Sequence, residues 1–115
     1  MGDCLFCMIV NKEIPAAIVH EDDTVVAFRD IAPQAPVHIL LVPKVHCSGL
    51  DNLTPEALAA VPHILQTAAR LAVAQGVSAK GYRLLANCGP DAGQTVFHLH
   101  FHLLGGKPLG AMVGG

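Results

Sequence analysis

Seven residues near the C-terminus, His98-Leu99-His100-Phe101-His102-Leu103-Leu104, alternate imidazole and apolar side chains almost without a break. A helix would scatter the three imidazoles around its circumference. An extended strand sends successive side chains to opposite faces, so the period of two predicts a strand over residues 96–104. The rings would follow one another at roughly 6.7 Å on one face. Leu99, Phe101 and Leu103 would pack on the other. A chain carrying such a strand needs a sheet to pair it and a second layer to cover its apolar side.

The remainder of the 115 residues supplies both. Residues 17–20 and 24–30, rich in β-branched side chains, flank Glu21-Asp22-Asp23 and read as two antiparallel strands joined by a tight connection. After the Pro-bounded turn over 32–36, Val37-His38-Ile39-Leu40-Leu41-Val42 is nearly continuously apolar, as a strand buried on both faces would be, with His38 as its exception. Thr54-Pro55-Glu56 offers an N-cap, a proline at the first helical position and an acidic first turn. Leu58, Val61, Ile64, Leu65, Ala68, Leu71 and Ala72 then follow the three-and-four spacing of an amphipathic helix that Gly76 can stop, with Pro62 expected to kink it or split off its first turn. Residues 81–87 form a fourth strand, followed by a polar loop from Cys88 to Thr95 that exceeds the two to five residues of an ordinary hairpin turn. Leu5 to Val10 reads as a short helix. The order predicts one α+β domain over residues 1–115: a five-stranded antiparallel sheet with one long and one short helix on one side of it.

Composition narrows the function classes. The chain is 52% hydrophobic with a mean hydropathy of +0.49, yet no consecutive apolar run nears the roughly 18 residues of a bilayer span, so the excess is assigned to the core and no membrane partner is expected. Met1-Gly2-Asp3-Cys4 does not resemble a secretory signal, which points to the cytoplasm. A net charge of −2 with 7 Lys and Arg leaves no basic stripe for a nucleic acid. Four cysteines, two of them spaced Cys4-x-x-Cys7, then read as reduced thiols or metal ligands before disulfides.

Imidazole has an ordinary pKa of about 6.5, so a neutral nucleophile and a protonated donor are both accessible near neutral pH, and three rings on one face can divide labour. Two other readings fit the same residues. One is the polar side of an edge strand. The other is a zinc or iron site with His38 or Asp30 completing the ligands.

The motif His98-Leu99-His100-Phe101-His102-Leu103-Leu104 resembles the signature of the histidine triad superfamily at every position. The resemblance continues through Lys12-Glu13-Ile14-Pro15-Ala16, the stretch from Ala27 to His38, Gly81-Tyr82-Arg83 and Gly93-Gln94-Thr95-Val96-Phe97. The tail Gly105-Gly106-Lys107-Pro108-Leu109-Gly110 is similar to that of bacterial members of the Hint branch.

That resemblance implies a homodimeric purine nucleoside phosphoramidase, cleaving substrates of the AMP-amide or AMP-lysine type through a covalent nucleotidyl-histidine. His100 would be the nucleophile and His102 a donor to the phosphate oxygens. His38 would complete a proton relay, His98 the triad, and Thr95 would reach the leaving group. Asp30 would accept the ribose hydroxyls, while Phe6, Ile9, Ile14, Phe28, Ile31 and Leu40 would enclose the base. Asn87, Gly93, Gln94 and Val96 would be further nucleotide contacts, the loop turning its N–H groups to the phosphate in place of a cation, so that catalysis requires no cofactor. By the same resemblance Cys4, Cys7, His46 and His98 could bind a structural zinc, with Cys47 and Cys88 ordinary buried thiols. The tail after Gly110 lacks the tryptophan that some relatives carry. Alternatives within the superfamily are a dinucleoside polyphosphate hydrolase or a nucleotidyl transferase. Outside it stand a nucleotide-binding or protein-interaction module and a His-metal oxygenase.

Overall fold

The computed structural model describes residues 4–113, so the N-terminal reading at Met1 to Asp3 and the final Gly114-Gly115 lie outside the described residues. The elements are α1 (Leu5–Val10), β1 (Ile18–Glu21), β2 (Val25–Arg29), β3 (Val37–Pro43), α2 (Pro55–Ala74), β4 (Tyr82–Leu85) and β5 (Phe101–Gly105), with short 3-10 turns at Leu50–Asn52 and Pro90–Ala92. The strands form one antiparallel sheet in the order β1-β2-β3-β5-β4. The expected five-stranded α+β fold is observed.

The pleat of β3 divides the protein into two apolar layers. Ile39 and Leu41, with Val25, Ala27 and Leu103, meet Ile64, Ala68, Leu71 and Ala72 of α2 on one face. Leu40 and Val42, with Val26 and Phe28, meet Phe6 and Ile9 of α1 on the other. The two helices therefore cover opposite faces, and the expectation that both lie on one side is corrected. Six residues of α1 carry too little periodicity to reveal which face they cover.

Helix α2 starts as its sequence dictates. Thr54 caps it by accepting the Ala57 N–H at 3.1 Å, and it ends at Gln75 with Gly76 in a left-handed conformation (φ 75°). It runs unbroken through Pro62. Its buried stripe is narrower and smaller than the spacing suggests: Ala57, Ala60 and Thr67 are buried, whereas Leu58 and Leu65 face outward. Small residues let the helix approach the sheet closely. By length and composition α2 would also qualify as a bilayer span, with a mean hydropathy of 1.3, which a count of consecutive apolar residues misses; here its inner face packs on the sheet.

The histidine strand is shorter than its alternation predicts, since β5 begins only at Phe101. Its partner explains the difference. β3 ends at Pro43, which has no N–H to donate, and the chain beyond it leaves the sheet. Residues 98–100 are held instead by single bonds, Leu99 N–H to the Cys47 carbonyl at 2.7 Å and the His98 ring to the Pro43 carbonyl at 2.8 Å. The sidedness survives. Leu99 and Phe101 pack towards α2 with Ala57, while the rings of His98 and His100 meet Phe6 of α1 edge-on.

Candidate active site

Between α1, the end of β2 and the approach to β5 lies a cleft of about 270 Å³. It brings together most of the residues expected to bind a nucleotide: Phe6, Ile9, Ile14, Phe28, Ile31 and Leu40 on its apolar wall, and Asp30, Thr95, Val96, His100 and His102 towards its polar end. Ile31 is almost fully exposed at the rim. Leu5, Pro15, Ala16 and Arg29, which had no expected role, also line it.

Hydrogen-bond partners fix the ring tautomers. His100 Nδ1 lies 2.8 Å from the carbonyl oxygen of His98; a carbonyl only accepts, so Nδ1 carries the proton and Nε2 keeps its lone pair. Burial lowers the pKa of this ring, favouring the neutral form that a nucleophile needs. The Gln34 N–H donates to His38 Nδ1 at 3.1 Å, which places the His38 proton on Nε2. That proton is directed at His102 Nδ1, 2.9 Å away, leaving the His102 proton on Nε2. His102 titrates at about 4, driven down first by burial and then by repulsion from His100 and His38. Asp30 Oδ1 accepts the Ala32 N–H at 2.8 Å, and its Oδ2 stands 3.5 Å from His38 Nε2. The site is thus a chain of neutral imidazoles with defined donors, set against one carboxylate. Gln34, which starts the chain, sits in a proline-flanked turn whose sequence gives no hint of that role.

Three expected contacts lie elsewhere. Asn87 lines a neighbouring depression with Gln34, His38, Arg83 and His102. Gly93 takes the left-handed conformation (φ 93°) at the end of the Pro90–Ala92 turn. Gln94 is buried and folds inward: its Oε1 accepts the Gly89 N–H at 2.8 Å, and its Nε2 donates to the carbonyls of Ser48 at 2.8 Å and Val96 at 3.1 Å. Its side chain clasps the loop.

The His98 ring turns away from the cleft and joins Cys4, Cys7 and His46. Its Nε2 donates to the Pro43 carbonyl, so its Nδ1 lone pair faces Cys4 Sγ and Cys7 Sγ, each at 3.5 Å, and His46 Nδ1 at 3.2 Å. Cys7 Sγ lies 3.4 Å from His46 Nδ1. A tetrahedral zinc bonded at about 2.0–2.1 Å to nitrogen and about 2.3 Å to sulfur separates its ligand atoms by roughly 3.3–3.8 Å, so the four residues fit such an ion with little movement. The chemistry agrees. Burial and the neighbouring Cys4 push the Cys7 thiol up to about 11, so a thiolate there needs a cation beside it. Cys47 is buried, its thiol also raised by burial, whereas Cys88 is only half-buried.

Comparison with known proteins agrees with this architecture. A family model described as HIT domain matches residues 11–109. The chain is 43% identical over 111 residues to the purine nucleoside phosphoramidase of Escherichia coli K12, covering 96% of this chain and 93% of that one. It is 51% identical over 107 residues to an uncharacterized HIT-like protein of Synechococcus elongatus, covering 93% of each. Among solved structures, a HIT family hydrolase from Clostridium thermocellum superposes with a TM-score of 0.93 at 43% identity, covering 98% of both chains. One from Legionella pneumophila reaches 0.92 at 45% identity, covering 97% of this chain and 100% of that one.

Proposed function

The chain belongs to the HIT domain family, and on that premise we propose that it is a single-domain hydrolase of purine nucleoside 5′-phosphoramidates. The observation that carries the reading is the His100 ring, buried against Phe6 at one end of the cleft, its Nδ1–H taken by the His98 carbonyl and its Nε2 lone pair free. In this reading Nε2 attacks the α-phosphorus, the P–N bond breaks, and the departing nitrogen takes up a proton from solvent on the side of Thr95, the equivalent that hydrolysis by water later gives back. Water then attacks the nucleotidyl-imidazole, releasing the nucleoside monophosphate and returning His100 neutral. The His102 Nε2–H donates to the non-bridging oxygens, steadied by His38, and the hydroxyl of Thr95, which also lines the cleft, adds to it. These donors supply the charge stabilisation that a divalent cation gives in many phosphoryl transfers. Asp30 at the rim suits the ribose diol, since a carboxylate accepts from both hydroxyls.

Cys4, Cys7, His46 and His98 are proposed to hold a structural zinc. When bound, it would stabilise the two thiolates and tie the start of α1 to residue 98. The unpaired edge of β4 with its exposed Tyr82, together with the outward Leu58, Leu65 and Val73 of α2, supports assembly as a homodimer. The test of the reaction class is a steady-state comparison of kcat/KM. An adenosine 5′-phosphoramidate should be turned over faster than diadenosine polyphosphates; the reverse order would defeat the assignment.

A further inference from the structure

Away from the cleft and from the Cys4 cluster, a second group of metal-competent side chains meets between the β1–β2 turn and α2. Asp22 opens the turn. Its Oδ1 accepts the N–H groups of Thr24 at 2.8 Å and Val25 at 2.9 Å, so the carboxylate is locked in one orientation. Its Oδ2 receives His20 Nε2 at 2.7 Å and His63 Nε2 at 2.6 Å. Burial alone would raise the carboxyl's pKa, but the two ring and two backbone hydrogen bonds outweigh it and hold the group well below the usual range.

One imidazole on a carboxylate is an ordinary surface hydrogen bond. Here two Nε2 atoms, from a strand and from a helix 43 residues further on, aim at the same oxygen, and the three candidate ligand atoms lie within 4.8 Å of one another. Two imidazoles and one carboxylate are the donor set of an open transition-metal site. The side chains are 30–36% exposed, which leaves solvent to complete the coordination. Nitrogen and oxygen atoms at about 2.0–2.2 Å from one tetrahedral ion lie roughly 3.3–3.6 Å apart, so the two rings, now 2.6–2.7 Å from the carboxylate oxygen, must open by under about 1 Å, which side chains a third exposed can do.

We propose that His20, Asp22 and His63 form a second, solvent-open binding site for a divalent transition-metal ion of the zinc class. On binding, each ring gives up its Nε2 proton to water and keeps or gains one proton on Nδ1, and two N–H···O bonds give way to two N–metal bonds with no change in oxidation state. The ion would cross-link the β1–β2 turn to α2. None of the three residues lines the cleft, so the site is independent of the hydrolytic reading.

The test is titration of the full chain with zinc chloride, followed by calorimetry and by NMR of the imidazole nitrogens. The His20 and His63 ring signals should shift together, with uptake of one equivalent that His63→Gln lacks whatever the occupancy of the Cys4 cluster. Asp22→Asn should weaken that equivalent by more than about tenfold. The far-ultraviolet circular dichroism of metal-free His63→Gln serves as the check on folding and should be unchanged. Zinc uptake by His63→Gln equal to that of the wild type, or His20 and His63 signals unmoved by saturating zinc, overturns the proposal and leaves a hydrogen-bonded clamp.

Discussion

The His98 carbonyl oxygen accepts the His100 Nδ1–H at 2.8 Å, while the ring of the same His98 faces two thiols and a second imidazole. One residue therefore serves two sites: its main chain sets the tautomer of the proposed nucleophile, and its side chain belongs to the proposed zinc cluster. The arrangement follows from the chain leaving the sheet before Phe101, because residue 98 is then held by its ring and by its neighbours rather than by a ladder of strand bonds.

That zinc cluster is open to direct measurement. Protein purified without chelator should carry one equivalent of zinc at Cys4, Cys7, His46 and His98, and cobalt substitution should give the intense absorption of thiolate ligation. An ion held at a thousand times its Kd contributes about 4 kcal/mol. The double substitution Cys4→Ser/Cys7→Ser should accordingly lower Tm by more than about 10 °C. Unchanged Tm and metal content in that variant would remove zinc from the cluster.

Acid should weaken the fold through His102. The folded ring titrates at about 4 against an ordinary 6.5 because burial disfavours its cation. As pH falls, the unfolded chain takes up this proton first, so the contribution is complete above the ordinary value and declines towards the folded one. One such group gives a slope of at most about 1.4 kcal/mol per pH unit. Urea unfolding between pH 7 and pH 4.5 should show stability falling with pH, and His102→Asn, which can still accept from His38, should flatten the slope. Parallel slopes in the two proteins would contradict the buried neutral ring.

Much of this was legible in the chain. The caps Thr54 and Gly76 delimited α2 because capping is local chemistry, and the alternation from His98 to Leu103 assigned each side chain to its side of the sheet. The start of β5 was not legible, since it depends on Pro43 ending a partner strand far away in sequence. Nor was the inward fold of Gln94. A glutamine in a polar loop looks like a surface contact until the carbonyls of Ser48 and Val96 are seen beneath it. The meeting of His20, Asp22 and His63 likewise depends on how α2 docks, which no local pattern specifies.

Gln94 yields a further prediction. Its three hydrogen bonds tie the loop from Gly89 to Val96 to Ser48, and truncation leaves buried groups unpaired at about 1–3 kcal/mol. Gln94→Ala should lose about that much stability by denaturant unfolding. It should also lower kcat more than it raises KM, since a loosened loop misplaces Thr95, the cleft residue on the side of the departing nitrogen. A raised KM with unchanged kcat would instead make Gln94 an ordinary substrate contact.

The most direct measurement of the central assignment is intact-mass spectrometry of enzyme quenched in acid-free denaturant within milliseconds of mixing with an adenosine phosphoramidate. The wild type should carry an adduct of one nucleotidyl group, mapped to His100 by peptide fragmentation, and His100→Ala should carry none while losing at least about a thousandfold in kcat. An adduct on any other residue, or a His100→Ala variant that still turns over the substrate at the wild-type rate, would remove His100 as the nucleophile.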